Sequence, residues 1–159
     1  MGSNSCANYM QTYYLFEDEP MNFAGSITTF VMSLPDIPVA LNSCKSEFFC
    51  SVFPNYEEII LENIIEYEDS WSNEISYNPA YWIETLDNFI SFIKPINEDF
   101  KNVNNMKGFL YLCSKLLFGA AFFHKRGVLE SPAYAYREIY KITNRLLESG
   151  IINEPTWYI

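Results

Sequence analysis

Apolar residues recur along this chain at intervals of three and four, the spacing that gathers them on one side of an α-helix. The densest run is FLYLCSKLLFGAAFF, residues 109–123, where Phe109, Leu112, Cys113, Leu116, Leu117, Ala120 and Phe123 share a face. Ser114 and Lys115 mark a narrow polar edge, and Gly119, Ala120 and Ala121 form a small-residue strip that a neighbouring helix can approach closely. Asn105 and Gly127 flank the run. The first can cap free backbone N–H groups, and the second tolerates the positive φ that stops a helix. The pattern predicts a central helix over about residues 106–126. Fifteen apolar-run residues make about 22 Å of helix, less than the roughly 30 Å of a bilayer core, and Lys115 interrupts them. The expectation is the middle of a soluble bundle.

Other helices are punctuated in the same way. Ser131-Pro132 opens a helix predicted to reach about Ser149, with Ala135, Ile139, Ile142, Leu146 and either Tyr136 or Leu147 inward and Gly150 as its stop. Asn78-Pro79 predicts the start of a helix through AYWIETLDNFISFIK, with Trp82, Leu86, Phe89, Ile90 and Ile93 on one face. Pro95 is expected to end or kink it, with a short amphipathic piece from Ile96 to Val103 following. Asn55, three residues before Glu58, reads as the cap of YEEIILENIIEYE, whose inner face is Tyr56, Ile60, Ile64 and Tyr67.

KSEFFCSVF before Pro54 predicts a short helix, and LPDIPVALNS a proline-stiffened connection. In NFAGSITTFVMSL the Thr, Ile and Val residues suit a strand or irregular segment near 26–34. Phe23, Ile27, Phe30, Val31 and Leu34 nevertheless keep helical spacing, so a helix is preferred. Residues 1–20 are expected to be extended or loosely ordered. The fold class is all-α: one domain over residues 1–159, a compact bundle of about six to eight helices around the hydrophobic central one.

Composition supports a packed core. Apolar residues are 49% and aromatic residues 18% of the chain, far above what a disordered segment carries. Charge changes the picture more. Residues 1–100 hold 16 acids and two bases, residues 101–159 four acids and eight bases, and the net charge is −10. No Lys or Arg lies between Lys45 and Lys94, while ten acids do. Such acidity argues against direct binding to nucleic-acid phosphates or to an anionic membrane, and in favour of solubility or a basic protein partner.

Catalytic chemistry has little to work with. His124 is the sole histidine and sits beside Lys125 and Arg126, where cations favour a helix C-terminus. Nucleotide, hydrolase and zinc-protease motifs are missing from the sequence. Cys6, Cys44, Cys50 and Cys113 form no C-x-x-C, and Cys113 has the apolar neighbours of a buried, inert thiol. No catalytic residue, metal site or cofactor is expected, and the protein is not expected to be an enzyme. The N-terminus lacks a signal-peptide pattern, and MGSNSC misses the myristoylation pattern at Cys6. The expectation is a cytoplasmic protein with reduced thiols.

The acids are arranged. Glu58, Glu62, Glu66 and Asp69 fall at i, i+4, i+8 and i+11 of one helix, with Glu57, Glu68 and Glu74 beside them and Tyr67 and Trp71 interleaved. These nine residues are the candidate partner-binding set. Like charges four apart destabilise a helix by about 0.2–0.5 kcal/mol per pair, and no lysine at helical spacing relieves them. The stripe is a solvated face, or is neutralised internally by the Arg137, Lys141 and Arg145 stripe, or awaits cations from another molecule.

In size, acidity and the aromatic-rich acidic segment 56–87, the chain resembles bacterial toxin-immunity proteins of the contact-dependent growth inhibition type. The resemblance covers no diagnostic motif and transfers no family site residues. It implies a partner that is a basic toxin domain, of the nuclease class, neutralised by occlusion of its active site or substrate groove. A helical-bundle groove binder of the Bcl-2 type is the alternative, although no NWGR-like element or C-terminal membrane anchor is present. A nucleic-acid mimic would need a longer track of carboxylates than one helix offers, and a small enzyme would need carboxylates converging in a cleft.

Overall fold

A computed structural model describes residues 19–34, 54–81 and 83–152. Five α-helices run in order: α1 (Glu19–Met32), α2 (Pro54–Ser76), α3 (Leu86–Phe100), α4 (Met106–Lys125) and α5 (Ser131–Glu148), with a 3-10 turn at Pro79–Tyr81. There is no strand among the described residues, so the fold is all-α, with fewer helices in this part than the six to eight expected. The segments KSEFFCSVF and PDIPVALNS, residues 1–18 and Trp82 lie outside the described residues.

Helix α4 is the hub. It packs against α1, α2, α3 and α5. The outer elements close a ring around it, because α2 touches α1, α1 touches α5, α5 touches α3, and the 3-10 turn joins α3 back to α2. All seven residues of the predicted apolar face are buried, together with Leu110 and Gly119. Ser114, expected at a polar edge, is also fully buried. Its hydroxyl donates to the Leu110 carbonyl at 2.7 Å and accepts from Asn63 Nδ2 at 3.2 Å, which satisfies it without water.

The ends of α4 follow its sequence signals. The Asn105 side chain accepts from the Gly108 N–H at 2.7 Å. Gly127 has φ of 102°, and Gly127 and Val128 donate back to His124 and Phe123 in a Schellman motif. By length and composition the 20-residue α4 meets the requirement for crossing a membrane, although the apolar run alone is shorter. Length therefore does not separate a core helix from a spanning one. Burial beneath four neighbouring helices gives α4 its place here.

Three local expectations are corrected. Helix α3 starts at Leu86, not at Asn78-Pro79, because Thr85 is extended and its hydroxyl accepts from Asn88 N–H at 3.1 Å. Asn78-Pro79 begins only the single 3-10 turn. Pro95 neither ends nor separates the helix, which continues to Phe100. The proline and Ser91, whose carbonyl would lose its partner, are both exposed, so water can serve that carbonyl. The inner face of α3 is accordingly Phe89, Phe92, Ile93, Ile96 and Phe100, with Ile90 half-buried.

Helix α1 settles the ambiguous segment as helix and begins at Glu19, inside the stretch expected to be loose. Its Phe23, Ile27, Phe30 and Val31, with Leu34 just beyond, are buried as the spacing predicts. Helix α2 starts at Pro54, one residue before the expected Asn55 cap, since proline suits a first turn. Tyr56, Ile60 and Ile64 are buried, Tyr67 is half-buried, and Leu61 and Ile75 join the core.

Cys113 is fully buried in α4, and burial holds its thiol well above the ordinary 9.0. Burial, then the nearby Glu74 carboxylate, also raises the Tyr81 phenol above 10.0. Both groups keep their protons longer in the folded chain than in the unfolded one. Their contribution to stability is therefore intact below about pH 9 and is lost as pH rises beyond it. Urea midpoints taken across alkaline pH should fall there. Peptide mapping after iodoacetamide at neutral pH should find Cys113 unmodified until the protein is unfolded.

Candidate functional site

The acidic residues of α2 divide between its two sides. Glu57, Ile64 and Trp71 are seven residues apart and point inward together. Glu57 is only 1% exposed and accepts a hydrogen bond from the Ser26 hydroxyl of α1 at 2.8 Å. Trp71 is 2% exposed, stacks on Tyr67 at 5.5 Å, meets Tyr111 edge to face at 5.7 Å and lies tilted against Phe118 at 5.7 Å. Neither belongs to a partner-facing surface, so both leave the predicted set. Their roles are to lock α1 onto α2 and α2 onto α4.

The outward side keeps Glu62, Glu66 and Asp69 exposed, with Glu58, Tyr67 and Glu68 half-buried. Glu74 is exposed but engaged: Lys115 Nζ from α4 reaches its carboxylate at 3.1 Å. Arg126 similarly pairs with Glu84 at 3.4 Å. The base-free window in the sequence is thus partly neutralised by cations from α4 and its C-cap, a tertiary pairing that helical spacing within α2 does not reveal.

The proposed internal clasp from α5 is not made. The Arg137 guanidinium lies over the Tyr134 ring at 5.7 Å, Lys141 pairs with Glu138 at 3.8 Å, and Arg145 Nη2 donates to the Phe100 carbonyl at 2.9 Å. The ring order explains this, since α1 lies between α2 and α5. Among the described residues Glu62, Glu66 and Asp69 make no ion pair.

Beside these carboxylates, between α2 and the start of α4, runs an open groove of 750 Å³. Ile59, Glu62, Glu66 and Tyr67 form one wall, and Lys107 and Tyr111 stand on the other. Tyr67 and Tyr111 meet edge to face at 5.3 Å. Ile59 is a large apolar side chain left 37% exposed at the rim. Tyr111 and Lys107 were not among the predicted site residues; Tyr111 lies off the buried face of the apolar run, which is the one sequence signal that it borders a surface.

No family model, curated protein or solved structure matches the chain. The site is therefore read from its own chemistry. Carboxylates beside tyrosine rings can receive cationic side chains, with the rings supplying contact area and cation–π attraction. Among the described residues no group of His, Cys, Asp and Glu is clustered to hold a metal ion.

Proposed function

We propose that the protein is an acidic binding domain whose docking face is the outer side of α2 together with the adjoining groove. Its partner is a cationic protein surface. In its most specific form the reading is that of an immunity protein: Glu62, Glu66 and Asp69, with Glu58 and Glu68 flanking them, occupy the basic surface of a toxin domain of the nuclease class. One observation carries the proposal. Three exposed carboxylates on one helix face have no ion pair among the described residues, while the chain's own basic stripe is committed elsewhere. Tyr67, Tyr111 and Ile59 offer the desolvated contact that charges alone do not supply.

A groove binder for amphipathic helices has one feature in its favour, an open seam of 360 Å³ between α1, α2 and α4. That seam holds a few side chains, whereas helix-in-groove recognition needs anchors spread over several turns.

The experiment is the association rate with a candidate basic nuclease-toxin domain, followed by stopped flow across a salt series. Electrostatic steering predicts a fall of about tenfold or more from low to high ionic strength. The Glu62→Gln/Glu66→Gln/Asp69→Asn variant should lower the low-salt rate to a similar degree. A rate indifferent to both would remove the proposal.

A further inference from the structure

Towards the opposite end of α2 and α4 the bundle has a second opening, which shares only Glu68 with the docking face. There α1, α2 and α4 part around the 360 Å³ cavity. Val31, Leu34, Ile64, Phe118 and Phe122 line it; the first three are at most 4% exposed, so the apolar surface open to a guest comes mainly from the half-buried Phe118, Ala121 and Phe122. The cavity is open to solvent and combines apolar and polar walls, which suits a guest that is itself amphipathic. An aliphatic body placed here would cover the exposed parts of Phe118, Ala121 and Phe122.

The rim is charged, and unevenly. Lys125 and Arg126 border it at the end of α4, while Glu68 and Ser72 stand on the α2 side. Lys125 is exposed and makes no ion pair among the described residues. Arg126 is held in position: its guanidinium lies 3.6 Å from the Phe122 ring centroid, Nη1 donates to the Phe122 carbonyl at 3.3 Å, and Glu84 is 3.4 Å from Nε. A fixed cation loses little freedom when it meets an anion.

We propose that this cavity binds a free, single-chain aliphatic carboxylate of medium length, its chain against Phe118 and Phe122 and its head group at Lys125 and Arg126. The volume lies at the lower end of the range for small-molecule sites, which suits one chain and excludes a two-chain lipid. Phe122 and Arg126 also border a neighbouring cavity of 240 Å³, so a longer chain has to displace that partition.

The test titrates sodium decanoate, below its micelle concentration, into the full chain by calorimetry and tryptophan fluorescence. Decyltrimethylammonium and phosphatidylglycerol vesicles are run in parallel. Decanoate should bind one to one, raise the melting temperature and perturb Trp71, whose ring lies 5.7 Å from that of Phe118. Lys125→Glu should weaken binding by about tenfold. Ala121→Phe, which fills the cavity wall, should abolish it, and the exposed Lys94→Glu should leave it unchanged. No saturable decanoate binding would overturn the proposal. So would equal binding of decyltrimethylammonium, binding to vesicles alone, or unaltered affinity in Lys125→Glu, a surface change that decides the matter even if Ala121→Phe fails to fold.

Discussion

Replacing Phe109 with alanine is expected to lower stability by about 3–5 kcal/mol, the range for deleting a fully buried ring. Phe109 is wholly inaccessible to solvent, and its ring sits 5.7 Å from Phe23 of α1 and 6.1 Å from Phe100 of α3. One truncation therefore loosens two outer helices from the central one. Against a typical total of about 5–15 kcal/mol, the variant would be folded only marginally. Urea denaturation with an unchanged m value should report the loss as a lower midpoint. A cost below about 1 kcal/mol would mean that α4 is not the hub of the core.

Gly119→Ala tests how closely α3 and α4 approach. Alanine is the better helix former by about 1 kcal/mol, so an unconstrained site would gain stability. Here a Cβ at residue 119 would collide with three ring carbons of Phe92, a side chain that is itself 2% exposed and has no room to retreat. Overpacking of this kind costs about 1–3 kcal/mol, and we expect net destabilisation. Thermal melts should show it at about 2–4 °C per kcal/mol. Phe92→Leu in the same background should recover part of the loss, since the two sites are in contact and are not additive. A neutral or stabilised Gly119→Ala would contradict the close packing.

Much of the fold was legible because its signals are local. Asn105, Gly127, Ser131-Pro132 and Gly150 mark helix ends through backbone chemistry that needs no distant partner, and all four lie where they were expected. The inner faces of α1, α4 and α5 followed from spacing alone. What misled was competition between equally good local signals. Thr85 outbid Asn78-Pro79 as the start of α3, and Pro95 was harmless because it falls on the solvent side.

The site was less legible than the fold for a different reason. Treating the carboxylates of α2 as one group hid the heptad that places Glu57 with Ile64 and Trp71 inside. The pairing of Glu74 with Lys115 spans 41 residues and depends on how α2 docks on α4. Tyr111 and Lys107 reach the groove by the same docking. The Lys115 pairing and the groove are not properties of a single helix, so periodicity within α2 does not contain them.

The docking proposal depends on Glu62, Glu66 and Asp69 making no ion pair among the described residues. Chemical denaturation of the Glu62→Gln/Glu66→Gln/Asp69→Asn protein, alone and without any partner, tests it most directly. Relief of like-charge repulsion predicts a midpoint unchanged or raised, by less than about 1 kcal/mol. A loss of about 1 kcal/mol or more would show that cations inside the fold were holding those side chains, and would contradict the account.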